Sequence, residues 1–249
     1  MTLKRLLLVL GLVLVPALAL AQEPTLPKIT MELAAGQAEP KEISVLLEVL
    51  FLLTVLSMAP AIVLTMTSFT RIIVVLHFLR QALGTQTMPP NQILVSLAMF
   101  LTFVIMMPTA TRVYDDALRP YLDEKMTFSE ALDKGQQPIR EFLFKHTREK
   151  DLSIFYSITK TERPKNRDEV STLLLVAAFT ISELKTGFTI GFLIYIPFLI
   201  LDMVVASILL SMGMMMLPPV MISLPFKVLL FILVDGWNLI VGSLVNTFG

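Results

Sequence analysis

The feature that most constrains this chain is an apolar run at residues 188–219. It is long enough to cross a bilayer, because a membrane-spanning helix needs about 20 apolar residues. Pro197 removes a backbone donor within the run, and Asp202 puts a carboxylate where an isolated charge costs roughly 2.5–3.5 kcal/mol. The run ends in closely spaced methionines and a double proline: Met212, Met214, Met215, Met216, Pro218 and Pro219. A lipid-facing anchor needs none of these features, so we expect the run to line the inside of a membrane assembly.

Composition places the chain among integral membrane proteins. The mean hydropathy is +0.76, with 55% hydrophobic and 16% charged residues. The formal net charge is zero, so no global field favours nucleic acid or an anionic surface. The chain contains no cysteine, which excludes disulfides, thiolate metal sites and a cysteine nucleophile.

The distribution of charge divides the chain into segments. Residues 112–169 hold 12 of the 20 basic and 12 of the 20 acidic residues, which indicates a soluble, charge-balanced insert between two apolar halves. We therefore expect an all-α integral membrane protein with two long, broken helical hairpins, at residues 43–111 and 170–249, flanking a small helical periplasmic insert at residues 112–169. The second hairpin contains the methionine-rich loop.

The N-terminus resembles a secretory signal. Residues 1–21 have a basic start, a short apolar core and a small-residue ending, so we expect cleavage between Ala21 and Gln22. The alternative is an uncleaved first membrane helix. Residues 22–42 contain three prolines and mixed charge, which predicts a flexible lead-in. Cleavage would leave the mature N-terminus on the outer face of the inner membrane.

The first hairpin is longer than one crossing requires. Pro60 predicts a kink or hinge, and hydroxyl side chains cluster a few residues later, at Thr65, Thr67, Ser68 and Thr70. Arg71 and Arg80 precede the Pro89–Pro90 turn without an acidic residue, which favours the cytoplasmic side for that turn. The return crossing then puts the insert outside.

The insert has helical signals, and the second hairpin exceeds a bilayer. Thr127 with Glu130 predicts a capping box, Gly135 is placed to end that helix, and Pro138 suits the first position of another. One unbroken helix over residues 167–217 would be roughly 75 Å long, so we expect breaks. The predicted breaks are at Gly187, Gly191 and Pro197, and Pro218 and Pro219 end the segment. Of these residues, Gly187, Pro197, Pro218 and Pro219 are also predicted hinges.

Charged residues in the second hairpin admit several interpretations. Asp202 and Asp235 could form a proteolytic pair, but neither has a Gly-x-Gly-Asp context. They could instead relay protons or ions, as in an ion-coupled membrane transporter. The alternative that we favour is ion pairing of either aspartate with Lys227, or burial at a wet subunit interface. Glu183 and Lys185 predict either a charge pair beside the headgroups or an intersubunit salt bridge.

The methionine cluster admits two interpretations. The sequence also contains none of the usual catalytic motifs. Methionine is flexible and polarizable, so the four side chains could form a deformable seal, or they could simply fill space in the membrane. The sequence has no phosphate loop, HExxH motif, serine elbow or glycine fingerprint. It also has no basic cluster or aromatic platform for nucleic acid. We therefore expect no enzyme, no cofactor, no metal site and no nucleic-acid partner.

Three stretches resemble the FliP family of flagellar biosynthetic proteins. They are AAFTISELKTGFTIGF at residues 177–192, PFLILDMVVASIL at residues 197–209, and TSFTRIIVVLHFLRQALGTQTMPPNQILVSLAMFLTFVIMMP at residues 67–108. The resemblance extends over residues 43–249 and includes the signal. It implies a core, pore-forming subunit of the type III flagellar protein export gate in the inner membrane at the flagellar basal body.

The resemblance also implies partners and residue roles. A homo-oligomer, a pentamer in the family, would assemble with FliR and FliQ, act with FlhB and FlhA, contact membrane lipid and pass unfolded flagellar subunits. The methionine-rich loop of the family surrounds the closed pore, a role that carries over onto Met212, Met214, Met215 and Met216. Glu183, Lys185 and Asp202 would then hold neighbouring subunits together rather than conduct protons.

Overall fold

The computed structural model describes residues 40–249 except Gln86, Thr161, Arg163, Lys165 and Met215. This part of the chain is all-α, as predicted, with helices and turns and no strand. The proposed signal and its cleavage site at Ala21 and Gln22 lie outside the described residues, as does the lead-in up to residue 39. The chain divides into two compact units, residues 1–53 and 54–249. The described part of the first unit is helical and carries exposed leucines such as Leu50 and Leu53.

The first hairpin consists of α1 (Pro40–Met66), α2 (Phe69–Leu83) and α3 (Asn91–Val113). The interruption between α1 and α2 lies at Thr67–Ser68, where the hydroxyl cluster turns back onto the backbone. Thr65 donates to the Ala61 carbonyl at 2.7 Å, Thr67 donates to the Val63 carbonyl at 2.5 Å, and Thr70 donates to the Leu64 carbonyl. The bond from Thr70 satisfies one of the carbonyls that a helix end leaves free, since Leu64 lies in the last turn of α1. α1 continues through Pro60, where a hinge stays a prediction.

The insert is helical. A π-helical turn (Tyr114–Leu118) leads to α4 (Arg119–Leu122), α5 (Phe128–His146), α6 (Glu149–Thr159) and a 3₁₀ turn (Arg167–Glu169). The capping box of Thr127 and Glu130 is confirmed at the start of α5. The predicted helix end at Gly135 and helix start at Pro138 are wrong, because α5 runs through both. A Cβ on Gly135 would lie 3.3 Å from the Ala117 Cβ, so this glycine permits close packing instead.

The second hairpin begins with α7 (Thr172–Ser211), a single helix of 40 residues, about 60 Å long. The expectation that it must break at Gly187, Gly191 and Pro197 is wrong. Its first turns pack against the insert, where Leu175 and Phe179 share a core with Leu143 and Tyr156, so this end of the helix belongs to the core of the insert.

The two glycines of α7 serve helix packing. A Cβ on Gly187 would lie 3.1 Å from Val74 Cγ1, and one on Gly191 would lie 2.6 Å from Phe78 Cγ. Val74 and Phe78 both belong to α2. The two glycines therefore allow α2 to pack closely against α7. Because 74 faces 187 and 78 faces 191, α2 and α7 run parallel.

The return arm consists of α8 (Pro219–Leu233) and α9 (Gly236–Asn246), which meet at a 65° bend. Asp235 lies at the bend with φ +50°, a left-handed conformation. α2 supplies much of the core: Ile72, Val75 and Leu76 have no exposed surface.

Length and composition identify Val49–Met66, Asn91–Leu122 and Thr172–Ser211 as candidate spans among the described residues. The bent pair α8–α9 would be a fourth span if it crosses as one unit. α3 continues past Thr111, so the proposed boundary between hairpin and insert falls inside a helix.

Candidate functional site

The methionine-rich loop joins α7 to α8 and is highly exposed. Met212 is 62% exposed, Met214 43% and Met216 98%; Met215 lies outside the described residues. Gly213 has φ +73°, which glycine adopts without strain and which turns the chain at the end of α7. The loop is therefore an apolar surface with little cover from its own chain.

This loop stands at the end of a projecting helical pair. α2 ends at Leu83, and the parallel register with α7 places that end near Phe198. α7 then continues to Ser211, roughly 20 Å farther at 1.5 Å per residue. The end of α7 and the loop thus extend beyond the end of α2, whereas α8 begins close to it, since a Cβ on Gly84 would lie 3.9 Å from Val220 Cγ1.

A buried ion pair joins α7 and α8 at the base of the projection. Lys227 Nζ donates to Asp202 Oδ2 at 2.6 Å, and Ser223 Oγ donates to Asp202 Oδ1 at 2.5 Å. The Lys227 side chain is 2% exposed and that of Asp202 is 23% exposed. A Cβ on Gly84 would lie 3.8 Å from Lys227 Nζ, so the ammonium also lies at the C-terminal end of α2, where helix carbonyls favour a cation.

The second acidic residue of this hairpin does not join the pair. Asp235 accepts a hydrogen bond from Asn238 Nδ2 at 3.2 Å in the α8–α9 bend. The sequence left ion pairing, a proton relay and a proteolytic pair as possible roles for the two aspartates. In the structure Asp202 pairs with Lys227, whereas Asp235 contacts Asn238.

A more deeply buried pair connects α2 with α7. Arg71 Nε donates to Glu183 Oε2 at 2.9 Å and Arg71 Nη2 donates to Glu183 Oε1, a bidentate arrangement. The side chains are 4% and 0% exposed. Arg71 Nη1 also donates to the Thr247 carbonyl at 3.2 Å and to Thr247 Oγ1 at 2.9 Å, and its guanidinium lies 3.8 Å from the centre of the Phe248 ring.

Neither interpretation of Glu183 with Lys185 predicted this partner. Residues two apart on a helix point in different directions, so Glu183 faces α2 whereas Lys185 is exposed. Lys185 has no ion-pair partner among the described residues. Arg71 also gives no support to a cytoplasmic turn, since it is buried; Arg80 does reach the turn and donates to Asn91 Oδ1 at 2.6 Å.

Sequence reasoning missed Arg71, Ser223, Thr247 and Phe248 as parts of these sites. The available signal was Arg71 itself, because an arginine within an apolar run needs an acidic partner. The described residues contain no group of three or more acidic or histidine side chains that could hold a metal ion. Glu183 and Asp202 each already bind a cation, so these two pairs can fix helices in place.

The chain was compared with known proteins. The sequence profile of the FliP family matches residues 52–244. Flagellar biosynthetic protein FliP of Bacillus subtilis is 56% identical over 213 residues, covering 86% of this chain and 96% of that protein. The protein of the same name from Pectobacterium carotovorum is 51% identical over 201 residues, covering 81% and 78%. That of Caulobacter vibrioides is 47% identical over 235 residues, covering 94% and 86%. Because the family profile spans most of the chain and these relatives are 47–56% identical to it, the chain belongs to the FliP family.

Proposed function

We propose that this chain is a core pore-forming subunit of the flagellar type III protein export gate, through which unfolded flagellar subunits cross the inner membrane. The observation that carries the proposal is the exposed methionine loop on a projecting helical pair. Its thioether side chains are flexible and apolar, so several copies around an axis would close on one another and part for substrates of different shape.

The buried pairs support this role by fixing the helices that carry the loop. Asp202 and Lys227 hold α7 to α8 below the loop, and Arg71 and Glu183 hold α7 to α2. A seal that opens repeatedly needs rigid supports, because a displaced helix would leave the ring incomplete. We propose no catalysis and no cofactor for this chain.

The exposed apolar surface supports assembly. Phe100 and Phe103 of α3 are 67% and 70% exposed, and Phe192 of α7 is 59% exposed. Surfaces of this kind are covered by lipid or by other proteins. We propose a homo-oligomer, a pentamer, that assembles with FliR and FliQ and works with FlhB and FlhA at the basal body. The insert would be periplasmic, and exposed Lys185 would contact a neighbouring subunit.

The test of the seal replaces Met214, Met215 and Met216 with alanine in the assembled gate. We expect ion or small-molecule leakage across the membrane to rise while assembly persists, because the substitutions shorten the side chains and leave the supporting pairs intact. Met221→Ala is the matched control, since Met221 is 66% exposed but lies on α8 outside the loop. An assembled triple variant that leaks no more than the Met221 control would refute the seal.

A second test separates an export gate from an ion-coupled transporter. Asp202→Asn leaves Lys227 buried without its counter-ion, so we expect a lower yield of purified complex. Coupling to the proton gradient, measured on the complex that does form, should change less. A normal yield with lost proton dependence would favour the transporter, in which Asp202 relays protons.

A further inference from the structure

A junction near the end of the chain joins elements that are far apart in sequence. The His146 ring at the end of α5 lies 4.8 Å from the Phe142 ring and 5.2 Å from the Phe248 ring, measured between centroids. The Phe248 ring stacks on Phe142 at 6.4 Å and meets the Arg71 guanidinium at 3.8 Å. Phe248 thus fills the space between α2 and α5, and it is 7% exposed.

The backbone beside Phe248 is held by two cations. Arg71 donates to Thr247 as described above, and Lys145 Nζ donates to the Phe248 carbonyl at 3.3 Å. These contacts attach the segment that follows α9 to the first hairpin and to the insert at once. His146 Nε2 is buried and has no hydrogen-bond partner among the described residues.

The charges around His146 oppose its protonation. Arg71 on α2 and Lys145 on α5 are cationic, and the carboxylate of Glu183 on α7 already binds Arg71 bidentately. From α6, Arg148 and Asp151 pair with each other at 2.7 Å, and Asp151 also accepts from Ser182 at 2.6 Å. The carboxylates of Glu183 and Asp151 thus already bind cations, so neither is free to balance an imidazolium.

We propose that Thr247 and Phe248 form a latch on Arg71 and His146, and that proton uptake by His146 opens it. Closed, the latch fixes the return arm of the second hairpin to the insert and to α2. Protonation adds a third positive charge beside Arg71 and Lys145 and against two aromatic rings, and withdrawal of Phe248 exposes that charge to water. The inference is independent of the proposed function in export, since it concerns the coupling of parts within one chain.

The direction of the pH effect follows from the pKa of His146. Burial, together with the charges of Arg71 and Lys145, lowers that pKa to about 4 from 6.5. The closed state therefore binds fewer protons than the open state, and the latch is stable above pH 6.5 and weakens as the pH falls toward 4. Between pH 7.5 and 4.5 the opening equilibrium should rise by about 70-fold, and by about 10-fold at pH 5.5.

The experiment places a nitroxide on Gly249→Cys in the full-length protein in detergent, where the label is unique because the chain has no other cysteine. We expect the mobile fraction of the spectrum to grow as the pH falls from 7.5 to 4.5. His146→Phe keeps a ring in the stack but cannot be protonated, so its spectrum should not respond. His77→Phe is the matched control, because His77 is the other histidine of the chain, is exposed on α2 and should leave the response unchanged.

Two further measurements make each outcome decisive. Phe248→Leu weakens the closed state of the latch. The pH-dependent change in the mobile fraction then becomes visible even if the wild-type latch is mostly closed at every pH. Circular dichroism monitors the helices, and if they unfold at pH 4.5 the comparison is made at pH 5.5. A pH-independent spectrum in both the wild type and Phe248→Leu overturns the proposal, as does a response that survives in His146→Phe.

Discussion

Removal of the Glu183 carboxylate should destabilise the protein far more than removal of an exposed one. In Glu183→Ala, the Arg71 guanidinium keeps its contacts with Thr247 and Phe248 but loses its only carboxylate while 4% exposed. Breaking a buried pair in this way typically costs about 3–5 kcal/mol, because one charge stays buried without compensation. Since Thr247 still accepts from Arg71, we expect a loss near the lower end, about 3 kcal/mol, in the free energy of unfolding.

The matched control is Glu141→Ala, which removes the partner of Arg112. That pair is also in direct contact, at 2.6 Å, but its side chains are 51% and 62% exposed. An exposed pair contributes little because water screens it, so Glu183→Ala should lose clearly more stability than Glu141→Ala. The assay is denaturant titration of the detergent-solubilised protein, followed by helical circular dichroism.

The double variant Arg71→Met with Glu183→Met tests whether the loss comes from the stranded charge. Replacing both partners with apolar side chains removes that charge, so the double variant should be more stable than Glu183→Ala. If Glu183→Ala and Glu141→Ala lose the same small amount, then Arg71 is not held by Glu183 and the account of this pair is wrong.

The other predictions concern helix packing and the insert. Gly191→Ala should destabilise the protein by about 1–3 kcal/mol, because its Cβ would lie 2.6 Å from Phe78 Cγ. Gly242→Ala, where a Cβ meets nothing within 4 Å, should be neutral or stabilising in the same unfolding assay, and equal losses would contradict the packing argument. Thr127→Ala should lower stability by about 1 kcal/mol through loss of the cap of α5. The Thr127 backbone N–H, and then its hydroxyl, lower the pKa of Glu130 from 4.5, so this carboxylate stabilises the fold above pH 4.5 and the contribution disappears as the pH falls through the lowered pKa. In Glu130→Gln, that acid-dependent loss should be absent from a pH series of unfolding midpoints.

The capping box and the interrupted helix show how far local sequence reasoning reaches. Thr127 and Glu130 are three residues apart, so their contact follows from helix geometry alone. The hydroxyl cluster carried no predicted break, although α1 ends there and these side chains bond to carbonyls within the same few turns. A kink was predicted at Pro60, since proline removes a donor; α1 runs through this residue, and a hinge there stays a prediction.

The errors arose where a residue serves a distant neighbour. Gly135 and Gly187 look like helix breakers in sequence, yet each lies inside a helix. Their small size serves packing instead, because a neighbouring element approaches each of them closely. α7 was expected to break because a bilayer is thinner than 60 Å, but its first turns belong to the core of the insert. Sequence could not reveal this, because packing between elements is not visible in the periodicity of either one.

The sequence by itself determined an all-α chain with long apolar helices, a charged insert and a methionine-rich turn ended by two prolines, because hydropathy, caps and proline act within a few residues. Only the tertiary structure decided which charges meet. Arg71 and Glu183 are 112 residues apart, and Asp202 and Lys227 are 25 apart. Such pairs form because a buried charge must find a counter-ion in space, and the packing of α7 against α2 and against α8 determines which one is within reach.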